Sequence, residues 1–174
     1  MSPFIRRPSI RHTDRVLARS VLFLVLAVYV VTAGGLPGNP DGEVEFQTTS
    51  ALARTGSLAI GGTPEADIIL RYARTQEPGF AQVVEGADGQ YYAWFGVGQA
   101  ATAIPLYYVG RLGRFLWPEV EERHRELTHY GIERSEYFEH IAVSLRNPLL
   151  GAMTAWLLVL ISRRLGAQRL HAWI

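Results

Sequence analysis

No cysteine occurs among the 174 residues, which excludes a disulfide framework and any thiolate metal site. Lysine is absent too. All 17 basic residues are Arg, which reads as compositional bias and not as function. There is no surplus of charge of one sign: the net charge is +1, and no basic stripe runs along any segment. Both absences argue against nucleic acid or another polyanion as partner. Histidine is sparse, and His124, His129 and His140 lack H-x-x-x-H spacing. His124 and His129 do not stack on one helical face, so no metal site is expected. Apolar residues, by contrast, make up 48% of the chain and are unevenly placed.

The first apolar concentration is Ser20 to Leu36, "SVLFLVLAVYVVTAGGL", 17 residues without a charge. As a helix it reaches roughly 26 Å, just enough for the hydrocarbon core of a bilayer. Residues 1–19 before it hold five Arg and one acid. A basic stretch and an apolar run also describe a cleaved signal peptide, with small residues at "VTAGG". The length of the basic stretch and a second span favour the membrane helix. That second span is Ile141 to Ile161, with one charge, Arg146, placed to snorkel to the interface. Arg163, Arg164 and Arg169 follow it, in the tail 162–174. Arg thus flanks the start of the first span and the end of the second. The positive-inside rule places both termini in the cytoplasm and residues 37–140 outside. That segment carries 15 of the 16 acids and eight Arg. The expected fold class is therefore mainly α: an integral membrane protein with two transmembrane helices around an external loop of about one hundred residues.

Within the loop, Asn39-Pro40 offers an N-cap and a pre-organised first helical residue. Asp41, Glu43 and Glu45 suit the positive end of the helix dipole, and Gly56 is a C-cap. An amphipathic helix is expected over 40–55, with Val44, Thr48, Ala51, Leu52 and Thr55 on its apolar face. Acids in a first turn are by themselves ordinary capping chemistry. Residues 61–90 are rich in Gly, Pro and acids, with a short apolar piece "DIILRYA". A hairpin is expected over 82–94, with strands at Val83-Val84 and Tyr91-Tyr92 and the turn at Asp88-Gly89. Residues 96–117 read as an interfacial helix with Ile104, Tyr107, Tyr108, Leu112, Phe115 and Leu116 on one face. A third span is the alternative there, which would spoil the charge asymmetry. Residues 118–130 read as a solvated helix in which Glu121, Glu122, Arg123, Arg125 and Glu126 pair for tenths of a kcal/mol each.

Three pieces then stand in order: "NPDGEVEFQTTSALARTGSLAI" directly after a span, "DGQYYAWFGVGQAATAIPLYYVGRLG", and "LRNPLLGAMTAWLLVLISRRLG". Over residues 15–166 this order resembles the N-terminal part of GT-C-type integral membrane glycosyltransferases. Polyprenyl-phosphate-sugar-dependent protein mannosyltransferases and aminoarabinose transferases belong to that group. Leu52, Gly56 and Ile60 echo the end of the family's first juxtamembrane helix. Tyr91, Tyr92, Gly96, Gly98 and Pro105 echo the turn before its second, and Asn147, Pro148, Leu149, Arg163, Arg164, Leu165 and Gly166 echo its next span. No one of these motifs is specific; the ordered combination is moderately so.

The resemblance implies sugar transfer from a polyprenyl-phosphate donor to an acceptor at the outer face of a bacterial inner membrane. An acid of the first external loop is the implied base. Family members often pair Asp-Glu with an aromatic three residues on. Here Gly42 separates Asp41 from Glu43, and Phe46 follows Glu43 by three. Asp41 and Glu43 are the implied catalytic candidates. Tyr91, Tyr92 and Gln99 are the implied substrate contacts. No metal ligand and no tightly bound cofactor is assigned, and the partners are the bilayer and the lipid-linked donor. Transfer of this kind needs one carboxylate, because the phosphate leaves without obligatory protonation, unlike hydrolases with paired carboxyl groups. GT-C enzymes have many more membrane helices, so the chain is expected to be a truncated portion, inactive alone. The alternatives are a non-enzymatic two-span protein whose external loop binds a partner, and, more distantly, a secreted domain behind a cleaved signal.

Overall fold

A computed structural model describes residues 12–32, 40–75, 82–124 and 136–167. The expected cap Asn39, together with Arg125, Glu126 and His129, lies outside these residues, as do the two ends of the chain. The protein is mainly helical, with two helices long and apolar enough to cross a membrane. It divides into two compact units. One joins residues 1–33 to 147–174, and the other comprises residues 34–146.

The first unit contains α1 (His12–Thr32) and α7 (Arg146–Arg164), the latter from Asn147 onward. At 1.5 Å per residue, 21 and 19 residues reach about 32 and 28 Å. α1 begins eight residues ahead of the expected Ser20 and takes in Asp14, Arg15 and Arg19. The two helices run antiparallel. Near one end the Arg163 Nε donates to Asp14 Oδ1 at 2.9 Å. Toward the other end Gly151 lies so close to Tyr29 that a Cβ would meet the ring's Cε2 at 2.8 Å. Their large apolar side chains point outward: Phe23, Leu24 and Val31 on α1, Met153, Leu158 and Ile161 on α7.

The expected span at 141–161 lies within the apolar helical run Tyr137–Arg164, which has a turn in it. Its first residues belong to α6 (Tyr137–Ser144), and Leu145 is a turn before α7. Pro148 explains the break. It lacks the N–H that would bond the Ser144 carbonyl, yet it is tolerated in the first turn of a new helix. Ala142 and Val143 are buried within the middle unit, and Arg146 is buried with them. Arg146 ion-pairs with Glu45, so it does not snorkel as expected.

The middle unit is built around α2 (Pro40–Thr55). It starts at Pro40 and ends at Gly56, whose φ of +71° and N–H bond to the Leu52 carbonyl at 3.1 Å make the expected C-cap. It does not have one apolar face. Val44 and Phe46 are two residues apart, roughly opposite each other on a helix, and each enters a different core. Val44 packs with Ile60, Ala66, Leu70 and Val83. Phe46 packs with Ala103, Tyr107 and Val143. Between them Thr48 and Thr49 are buried, their hydroxyls bonded to the carbonyls four residues back at 2.8 and 2.9 Å. Ala51 and Leu52 are only half-buried, and Thr55 is exposed.

The hairpin forms as expected, β2 (Val83–Glu85) against β3 (Tyr91–Ala93), with Val84 opposite Tyr92 and Gly89 at φ +74°. A short strand the sequence reading lacked, β1 (Ala59–Ile60), pairs antiparallel with the other edge of β3. The "DIILRYA" piece lies in a twelve-residue helix, α3 (Pro64–Thr75). Thr63 caps it, its Oγ1 accepting the Ala66 N–H at 3.1 Å. On the other side of α2 lie α4 (Gly98–Leu116) and α6. α4 buries Ala100, Ala103, Tyr107 and Gly110 and exposes Tyr108, Val109, Leu112 and Phe115. Tyr107, expected on the exposed apolar face, is thus in the core. Residues 118–123 form α5 (Pro118–Arg123). Its Glu121 does more than pair along a solvated helix: its carboxylate accepts the Tyr137 and Phe138 N–H groups at 3.0 and 3.3 Å, capping α6.

Candidate functional site

The first turn of α2 places Asp41 and Glu43 differently. Asp41 is exposed; Glu43 is half-buried. Glu43 Oε1 accepts the Gln47 amide at 2.9 Å, one turn further along α2. The Gln47 amide is itself oriented, because its Oε1 accepts the Thr63 hydroxyl at 2.9 Å. From α6, His140 Nε2 lies 3.3 Å from the same Glu43 oxygen.

His140 is almost fully buried, stacked on Phe46 with ring centroids 3.4 Å apart. Its Nδ1 is 2.7 Å from the Glu136 backbone carbonyl. A carbonyl only accepts, so Nδ1 carries the hydrogen. The Nε2···Oε1 contact is then a hydrogen bond only when a second proton sits between imidazole and carboxyl. His140 Nε2 and Glu43 Oε1 are thus placed side by side at the first turn of α2. Low local dielectric strengthens such a contact.

Next to this pair lies a second polar cluster between α2, α4 and α6. Arg114 pairs with Glu139: its Nε donates to Oε2 at 3.2 Å, and its Nη2 makes an ion contact with Oε1 at 2.6 Å. Tyr107 donates to Glu136 Oε1 at 3.2 Å, and the Ser50 hydroxyl is 3.3 Å from both Tyr107 Oη and Glu136 Oε2. Arg54 approaches Glu136 at 3.5 Å. Arg54, Tyr107, Arg111, Arg114, Glu136 and Glu139 line an open pocket of about 250 Å³. Burial, the largest influence, pushes the Glu139 carboxyl above its ordinary value, against the pull of Arg114. Burial likewise pushes the Tyr107 phenol up.

Tyr91, Tyr92 and Gln99 are not gathered around Glu43. Tyr91 packs against the core that contains Val44, and its hydroxyl accepts the Arg74 Nε–H at 3.4 Å. Tyr92 donates to Asp88 Oδ2 at 2.5 Å within the hairpin. That bond chiefly holds the Asp88 carboxyl below its ordinary range and raises the Tyr92 phenol. Gln99 is exposed in the first turn of α4, its carbonyl accepting the Thr102 hydroxyl at 2.8 Å. In the sequence His140 stands only among histidines without metal-ligand spacing, and Gln47 belongs to no motif. The i, i+4 spacing of Glu43 and Gln47 was the available signal for the latter. Nothing local in the sequence points from His140 to Glu43, 97 residues away. No protein-family model, curated protein or solved structure matches this chain.

Proposed function

We propose that α1 and α7 span a membrane, with both termini on the cytoplasmic side and the middle unit on the outer face, and that this unit acts in glycosyl transfer of the GT-C type. The donor is a polyprenyl-phosphate sugar and Glu43 is the base. The observation that carries the reading is the setting of Glu43: a carboxylate in the first turn of a helix, partly accessible, and held by Gln47 and His140. An acceptor hydroxyl attacks the anomeric carbon, the bond from that carbon to the phosphate oxygen breaks, and the hydroxyl proton passes to Glu43. The polyprenyl phosphate departs as an anion and needs no proton. Asp41, exposed and without the Gln47 and His140 contacts, is the lesser candidate.

The experiment measures sugar transfer from a polyprenyl-phosphate donor in membranes holding the protein expressed from its own locus. Glu43→Gln should lower transfer by on the order of 10²- to 10⁴-fold, the usual worth of a general base. Asp41→Asn should change it by less than about tenfold, below that range. Full activity in both variants sinks the assignment. One observation favours a second reading, a non-enzymatic membrane protein whose outer unit binds a partner: α4 exposes Tyr108, Val109, Leu112 and Phe115 together. No transfer by the unaltered protein, with capture of a partner that Leu112→Asp abolishes, selects that reading.

A further inference from the structure

Arg15 and Arg19 stand one helical turn apart on α1, and Trp156 and Leu160 one turn apart on α7; these four line a pocket of about 130 Å³. It follows from the antiparallel register that Asp14–Arg163 and Tyr29–Gly151 set. The nearest acid in sequence is already engaged: Asp14 is buried and bonded to Arg163. Among the described residues no carboxylate pairs with Arg15 or Arg19. Like charges at i and i+4 repel, and an anion between them turns the repulsion into attraction. Guanidinium forks match phosphate oxygens. The facing wall is not polar: it is an indole and a leucine, and beyond it α7 exposes Leu157 and Ile161. A free phosphate would use only the two cations. A phospholipid uses both walls, its phosphate on the Arg pair and its glycerol and first acyl carbons on Trp156 and Leu160.

We propose that this pocket is a binding site for the headgroup of an anionic phospholipid in the leaflet at the basic ends of α1 and α7. The proposal rests on the membrane-spanning part of the reading above and is independent of glycosyl transfer. Lipid bound here ties the two helices together at the end where Arg163 and Asp14 already pair.

The test is thermal unfolding of the full chain in a non-ionic detergent, with phosphatidylglycerol, phosphatidylcholine or inorganic phosphate added. Phosphatidylglycerol should raise the midpoint by roughly 5 °C at saturation, and the other two should leave it unchanged. Arg15→Gln/Arg19→Gln should abolish the shift. Trp156→Leu, which changes no charge, should reduce it. Arg6→Gln/Arg7→Gln, which removes equal charge from the same terminal segment, should keep it. An equal shift from phosphatidylcholine overturns the proposal, as does a shift retained in the Arg15/Arg19 variant or lost equally in the Arg6/Arg7 variant. A shift from inorganic phosphate alone replaces the lipid with a soluble anion. Release of the chain from membranes by alkaline carbonate without detergent overturns the membrane reading itself, separately from any lipid result.

Discussion

His140 has little freedom to turn. Phe46 covers one face of its ring, the Glu136 carbonyl fixes Nδ1, and Nε2 is left facing Glu43. Under the proposed function it positions Glu43, and a substitution that keeps the ring stack should separate that role from packing. His140→Phe retains the aromatic pair and removes both ring hydrogen bonds, each worth about 1 kcal/mol. The expected result is a modest fall in unfolding midpoint and a loss of transfer approaching 10²-fold, as misplacing a catalytic group can produce. The loss should fall on kcat and not on KM. An unchanged kcat in a folded His140→Phe protein means that the carboxylate is held without His140. Gln47 was legible at this scale, one turn from Glu43 on one helix, whereas His140 is invisible until the chain folds.

α4 and α6 approach each other closely at Gly110. A Cβ on Gly110 would sit 2.5 Å from Glu139 Cα and 2.6 Å from the Phe138 carbonyl oxygen, both backbone atoms that cannot swing aside. At Gly113 the same test meets the Phe138 ring at 3.0 Å, and a side chain can shift. Gly110→Ala should therefore cost about 1–3 kcal/mol and Gly113→Ala less, read as the order of their unfolding midpoints. Equal midpoints contradict the packing. Small residues on α4 thus bring α6 near enough for Arg114 to reach Glu139. Local signals in the sequence marked the ends of α2 and the turn of the hairpin, because Pro40, Gly56 and Asp88-Gly89 act on their own backbone. α3 had such a signal in Thr63-Pro64, although no helix was expected there. β1 had none: two residues become a strand only when β3 lies alongside.

For the whole molecule, the antiparallel pairing of α1 and α7 puts their basic ends together, the arrangement that a common cytoplasmic side for both termini requires. The native absence of cysteine makes this directly testable. In intact cells a membrane-impermeant maleimide should label Ser57→Cys in the middle unit and spare Thr13→Cys and Ala167→Cys. The latter two should react only after permeabilisation. Labelling of all three in intact cells contradicts the proposed topology.

Length, hydropathy and the spacing of Arg against acids mark α1 and α7 as candidate spans, and Pro and Gly delimit α2, because each of these acts within a few residues of itself. Only the tertiary structure decided which charges belong together. Glu43 meets His140, Arg114 meets Glu139, Glu45 meets Arg146 and Asp14 meets Arg163, partners separated by 97, 25, 101 and 149 residues. A buried charge must find a counter-charge or a hydrogen bond. Which one it finds is set by how helices pack, and no periodicity along the chain records that.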